Sequence, residues 1–482
     1  TLDSGTFQGD NSPAKLLTVV NDELSKQMTF ETRITSPKLS GLFGLGELLA
    51  VTLGSTDFTA GVFYQRRKLD PVDFVVDIYS FTLGELILLN NNPAQSAVLE
   101  LLVPNIPPAA EADYFETHKL VYRETSDAVA GFGQMNWHFT DRSTLVYGMR
   151  LNFDRKSAFW DATNIGPTGG PESAIVIGTQ ISPFTAKETR SEFQFAPKVG
   201  LKYDWTDDVG FFATWSRSFR SGGFNTANAE SAGNTRIFDS ETSTSWELGA
   251  KLGLLDDTAT VNVGLFHMTV TDFQYYTNDP TQILPAPFVA NAGKLRARGV
   301  ETDLTVLATS WLTLRGALGF DDTEFIEFPT GACTLDRPNT DGDGDRRCDL
   351  SGGPLEQAPK WNITLTPIVA LPLGRIPLVE SSLPLSVAGV DLTGSVTAQY
   401  QDTQFLDLTL DPRNRQDPFF RFGGNVGFAD AGRGWSVGIH VVNATDEATA
   451  AIGGEGITQC SGCFTRLAEP PRLIFGRFRW LF

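Results

Sequence analysis

The chain has 482 residues, enough for several ordinary domains or one very large barrel. No run approaches the roughly 18 apolar residues of a membrane-crossing helix, which excludes a helical membrane protein but not a barrel, whose strands turn only alternate residues to lipid. A net charge of −19 excludes the basic footprint of a nucleic-acid binder.

In chain order, Thr1-Leu2-Asp3-Ser4 carries neither the basic start nor the apolar stretch of an export signal. Period-two alternation of apolar and polar residues then predicts about fifteen strands. They fall at roughly 28–36, 55–66, 116–138, 142–154, 188–203, 207–217, 240–254, 257–273, 288–307, 311–325, 358–371, 386–401, 416–429, 434–446 and 471–482. In one, Leu145, Tyr147, Met149, Leu151 and Phe153 oppose Thr144, Gly148, Arg150, Asn152 and Asp154. In another, Trp246, Leu248, Ala250 and Leu252 oppose Glu247 and Lys251. The last sets Ile474, Gly476, Phe478, Trp480 and Phe482 against Arg477 and Arg479. Short turns, such as Asp256-Asp257, alternate with long polar connections at about 67–115, 157–188, 218–240, 275–290, 326–356, 402–417 and 447–470. That plan predicts an all-β, transmembrane antiparallel β-barrel. A propeller would repeat one blade at a fixed period, and no such repeat is present.

The four cysteines form two close pairs, Cys333 with Cys348 and Cys460 with Cys463, which reads as loop disulfides in an oxidising compartment. Between the first two lies Asn339-Thr340-Asp341-Gly342-Asp343-Gly344-Asp345, followed by Asp349. Its oxygens are spaced like the start of a calcium loop, but Leu350 stands where the closing Glu belongs. No cofactor is expected; the readings are a solvated acidic loop or a Ca2+ ion that orders it. Of the four histidines, His440 has no local acid at productive spacing and His138, between Trp137 and Phe139, suits an interface, so no enzyme is expected. Arg217, Phe219, Arg220 and Phe224, with Tyr275 and Tyr276, rise from strands into long connections. Cationic and aromatic groups there suit a small anionic metal chelate, and equally an interface girdle.

Several segments together resemble the barrel of TonB-dependent outer-membrane receptors. They are Phe211-Phe212-Ala213-Thr214-Trp215-Ser216-Arg217-Ser218-Phe219-Arg220-Ser221-Gly222-Gly223-Phe224-Asn225, Trp246-Glu247-Leu248-Gly249-Ala250-Lys251, and Asn291-Ala292-Gly293-Lys294 with Gly299-Val300-Glu301. The resemblance implies a barrel of about 22 strands, of which residues 28–482 would be about the last 15. Residues 1–27 would then be an extracellular loop remnant, and the family's N-terminal plug is not visible. It implies an outer-membrane receptor of a Gram-negative bacterium that takes up a scarce ligand, commonly a ferric siderophore. The drive would come from the TonB–ExbB–ExbD complex acting through the plug. Glu247 and Glu301 would be plug-docking residues, and the other implied partners are outer-membrane lipid and the barrel-assembly machinery. The alternative is a passive porin or structural barrel without a plug.

Overall fold

The computed structural model describes residues 5–8, 17–40, 54–79, 115–165, 184–226, 236–278, 287–334, 347–375, 389–455 and 463–481. They form a 17-stranded antiparallel sheet in which each strand pairs with its neighbours in sequence. Its strands are β1 (Gly5–Gln8), β2 (Leu17–Thr35), β3 (Ser55–Tyr79), β4 (Phe115–Thr140), β5 (Ser143–Ile165), β6 (Phe184–Asp204), β7 (Val209–Arg220) and β8 (Glu241–Leu254). There follow β9 (Ala259–Asn278), β10 (Pro287–Leu307), β11 (Leu312–Glu327), β12 (Trp361–Pro372), β13 (Asp391–Gln401), β14 (Phe419–Asp430), β15 (Trp435–Val442) and β16 (Leu473–Trp480). The two-residue Leu39–Ser40 completes the sheet by pairing with the start of β3. Among the described residues, β1 pairs with β2 alone and β16 with β15 alone.

All fifteen strands predicted from alternation are present, because alternation fixes which face each side chain takes. The register carries that face from strand to strand: Trp215 stands opposite Trp246, Ala213 opposite Leu248, and Leu248 opposite Leu265. Trp246 and Leu248 are 59% and 54% exposed, so this apolar face has no protein cover. On three strands it runs nine residues, from Trp246 to Leu254, Trp361 to Val369 and Phe420 to Phe428. About 9–11 residues of tilted strand cross a bilayer's hydrocarbon core. Aromatic rings mark both ends. Near the short turns stand Trp137, Tyr203, Trp311, Trp435 and Trp480. At the other end Phe320 packs on Trp361 at 4.7 Å and Tyr400 on Phe420 at 4.8 Å.

On the opposite, polar face, three glycines stand directly across from phenylalanines: Gly249 from Phe212, Gly299 from Phe266, and Gly61 from Phe132. Each ring lies over its glycine, where a Cβ would collide with it. The missing side chain thus lets the ring lie flat against the wall.

The structure departs from the sequence-based reading above the apolar band. β2 begins at Leu17, so the boundary between a loop at 1–27 and a barrel at 28 does not mark the start of a strand. β3 runs to Tyr79 and β5 to Ile165, well into connections read as loops. Small two-stranded pairs occupy others: Gly223–Phe224 with Ile237–Phe238, Gly331–Ala332 with Arg347–Cys348, Gln404–Phe405 with Arg415–Gln416, and Ala450–Glu455 with Phe464–Ala468. Past the membrane, lipid no longer imposes alternation, so the pattern fades while the ladder continues.

Two apolar cores sit at these strand tops. Leu69, Leu120, Tyr122, Ala158, Trp160, Ala162 and Phe224 form one. Val270, Tyr275, Leu295, Phe325, Phe328, Cys333, Cys348, Leu350 and Leu410 form the other. Trp160 and Val270 lie on the polar face by register, so that face becomes apolar again near the long connections. Asp272 adopts the left-handed region, with φ of 54°. That conformation changes which residues of β9 turn inward, from Met268 and Val270 before it to Phe273 and Tyr275 after it.

Candidate functional site

The Arg220–Asn225 segment leaves β7 and is sewn across the polar face to its neighbours. The Ser221 hydroxyl donates to Asp154 Oδ2. The Gly222 amide donates to Glu192 Oε1 at 3.0 Å, and Lys156 Nζ donates to the Gly222 carbonyl at 2.6 Å. Gln274 Nε2 donates to the carbonyls of Ser221 at 3.0 Å and Asp239 at 2.9 Å. The Trp160 indole donates to the Asn225 carbonyl at 3.0 Å. Asn291 completes the seam: its Oδ1 accepts from the Asp239 amide at 2.7 Å, while its Nδ2 donates to the Asp239 and Asp272 carbonyls at 2.9 and 2.8 Å.

Two glycines permit this closeness. A Cβ on Gly222 would overlap the Arg190 guanidinium and the Phe238 carbonyl, and one on Gly223 would sit 2.6 Å from the Phe238 ring. Arg190 itself donates to the Phe238 carbonyl and pairs with Glu192. The Ser-Gly-Gly-Phe-Asn run is therefore a junction of β5, β6, β9 and β10. Asp154, Lys156, Glu192, Gln274 and Asn291 were not given a site role by sequence reasoning. Asn291 stood within a family-like segment, and the others showed only as polar residues inside strands.

Below the junction the polar face is net acidic on one side, where Lys251 and Arg315 stand among the carboxylates, and basic on another. Glu247 lies opposite Thr214 and Phe266, and Glu301 opposite Gly264 and Gly319, so both acids share one face on the strands flanking β9. Asp303 and Asp321 lie on that face of β10 and β11. An open cleft of about 530 Å3 there is lined by Phe212, Lys251, Asn262, Glu301, Asp303 and Asn362, among others. Asn262 donates to Asp303 Oδ2 at 2.8 Å. On β5 and β6 the same face carries Arg150, Lys198 and Lys202, with Arg150 5.1 Å from the Phe63 ring.

The six residues proposed for ligand capture do not converge on one surface. Phe224 is buried edge-on against Trp160 at 5.6 Å. Tyr275 is buried in the second core and donates to Glu356. Tyr276 is 55% exposed. Arg217 and Phe219 share the face of Trp215, whereas Arg220 takes the opposite face.

Cys333 and Cys348 form a disulfide, with Cα atoms 5.3 Å apart. Cys463 is disulfide-bonded, while Cys460 lies outside the described residues, as do Asn339, Asp341, Asp343, Asp345 and Phe482. The hydroxyl and amide of Ser351 hold the Asp349 carboxyl below the usual carboxylate range.

His138 has side-chain partners on other strands that alternation could not show. Its Nε2 is 2.7 Å from Asp57 Oδ2 and its Nδ1 2.8 Å from Thr144 Oγ1. The three sit within β3, β4 and β5, where ladder pairing engages the backbone amides that an oxyanion hole would need.

A family model described as TonB dependent receptor-like, beta-barrel, matches residues 6–444. The chain is 24% identical over 179 residues to the pesticin receptor of Yersinia pestis, covering 37% of this chain and 23% of that receptor. It is 31% identical over 128 residues to the metal-pseudopaline receptor CntO of Pseudomonas aeruginosa, covering 27% and 16%. Among solved structures, the ferric yersiniabactin uptake receptor FyuA from Yersinia pestis superposes with a TM-score of 0.67 at 15% identity, over 99% of this chain and 56% of that one. The siderophore receptor PiuA from Acinetobacter baumannii gives 0.61 at 14%, over 96% and 58%. The chain thus spans less than a quarter of these curated relatives and under three-fifths of these solved receptors.

Proposed function

Because this chain belongs to the TonB-dependent receptor-like β-barrel family and so to the Gram-negative outer membrane, we propose that it supplies wall and external loops to a receptor for a metal chelate. The ligand class is a ferric siderophore, and TonB drives uptake through a plug seated against the polar face. The division of charge on that face carries the reading. Glu247, Glu301, Asp303 and Asp321 outnumber Lys251 and Arg315 on β8, β10 and β11 and make that wall net acidic, while Arg150, Lys198 and Lys202 form a basic patch on β5 and β6. A bare carboxylate against a desolvating partner is costly unless a cation meets it. The acidic wall therefore suits a plug surface bearing arginine or lysine, and Glu247 and Glu301 are its docking acids.

The test is uptake of radiolabelled ferric chelates by cells whose receptor carries this chain together with its plug. Uptake should require TonB, and Glu247→Lys with Glu301→Lys should reduce it at unchanged surface abundance. Uptake that persists without TonB would replace this reading with passive diffusion through a porin.

A further inference from the structure

Above Trp215, Trp246 and Trp361 the lipid-facing side does not turn acidic, although the chain carries a net charge of −19. Trp246 stands opposite His267, His267 opposite Arg298, and Arg298 opposite Asp322. One step further from the band, Arg217, Thr244, Thr269, Arg296 and Glu324 form the next row. Residues two apart share a face, so both rows continue the face of Leu248 and Leu265.

Asp322 gathers two cations. Arg298 Nε donates to Asp322 Oδ2 at 3.0 Å, and Lys360 Nζ lies 3.2 Å from Oδ1. Arg298 and Lys360 nevertheless remain 52% and 57% exposed. A guanidinium has five N–H donors, so Arg298 keeps several beyond those used on Asp322. Arg296 is paired with Glu324. With Arg217 and Lys360 included, the patch holds four fixed cations against two carboxylates, with threonine hydroxyls between them.

The position is as informative as the charge. Tryptophans mark the boundary between hydrocarbon and headgroups. The patch begins at that boundary, on the side of the long connections, which in this fold is the outer side. We infer that it is a docking surface for the phosphate-bearing headgroup of an outer-leaflet lipid. One phosphate sits against Arg298 and Lys360, a second meets Arg217 three strands away on β7, the threonines between donate to their oxygens, and the acyl chains lie along Trp246 and Leu248. Basic residues at a membrane surface are suited to anionic headgroups. This assignment does not depend on which ligand the receptor carries.

The purified protein would be titrated in detergent with a bisphosphorylated lipid, with its dephosphorylated form and with phosphatidylcholine, and retained lipid read by native mass spectrometry. The phosphorylated lipid should be retained preferentially. Retention should weaken about thirtyfold in R298Q/K360Q, where two surface charges are lost, return in R298K/K360R, and stay unchanged in R315Q, which removes a cation from the opposite face. Heat-modifiable migration checks that each variant folds. Should the double variant fail to fold, R217Q takes its place with weakened retention expected. Equal retention of all three lipids, undiminished retention in a folded charge-removing variant, or displacement by millimolar inorganic phosphate would overturn the assignment.

Discussion

Asn225 and Val289 are joined twice: Asn225 Nδ2 donates to the Val289 carbonyl, and the Val289 amide donates to Asn225 Oδ1, each at 2.9 Å. The side-chain amide imitates a neighbouring strand and closes the sewn segment onto β10. Asn225 is buried, so removing its amide leaves backbone groups without these partners. Asn225→Ala should cost about 1–3 kcal/mol. Asn225→Asp should also destabilise, since a carboxylate cannot donate to the Val289 carbonyl. Urea titration of the protein in vesicles reads both.

Glycines that look equivalent in sequence should respond differently to alanine. A Cβ on Gly222 would overlap Arg190, whereas around Gly131 and Gly264 nothing lies within 4 Å of the added atom. Gly222→Ala should cost about 1–3 kcal/mol as overpacking. Gly131→Ala and Gly264→Ala should stay within about 0.5 kcal/mol of the parent. Equal losses at all three sites would contradict this account of the junction.

Stability should fall with acidification through Glu469, in the connection before β16. Hydrogen bonds from Arg421 and then Thr449 hold its carboxyl below the usual range. A folded value below the unfolded one gives stabilisation that is complete above the unfolded value, about 4.3. It is lost as pH falls through the folded value. The thermal midpoint should therefore drop more between about pH 6 and pH 3 in the parent than in Glu469→Gln.

The two faces of one strand should differ in their tolerance of charge. Leu248 is on the face we place against lipid, and Ser245 on the opposite face. Leu248→Arg, one lipid-facing residue inside the Trp246 boundary, should cost about 1–3 kcal/mol, between the interface and midplane values. Ser245→Arg should cost within about 0.5 kcal/mol. Equilibrium folding into vesicles measures both, and reversed costs would exchange the assigned faces.

The barrel wall was legible because lipid demands it. From Trp246 to Leu254, or Phe420 to Phe428, one face must be apolar, and the sequence alternates accordingly. Glu247 and Glu301 could be placed on the polar face by the same logic. The strand tops were not legible, since lipid no longer selects their residues. Tyr275 read as an aromatic at the mouth, yet Asp272 adopts a left-handed conformation and the ring enters a core. Aspartate tolerates that conformation better than most residues, and this was the one local hint. Phe224 was likewise hidden, because its partner Trp160 lies 64 residues earlier on β5. Alternation reports a face, not a long-range contact.

The two apolar cores also set how the mouth deforms. Each ties several hairpin tops into a stiff plate, one around Trp160 and the other around Phe325, both almost wholly buried. Phe224 belongs to the first plate, and the rest of the seam from Arg220 to Asn225 couples it to the second through hydrogen bonds, which water can replace as it cannot replace aromatic contacts. Compliance is therefore concentrated in the seam, and a pull on the wall is felt there as shear. In hydrogen exchange, the Gly222 and Val289 amides should open before those of Tyr122 and Phe325.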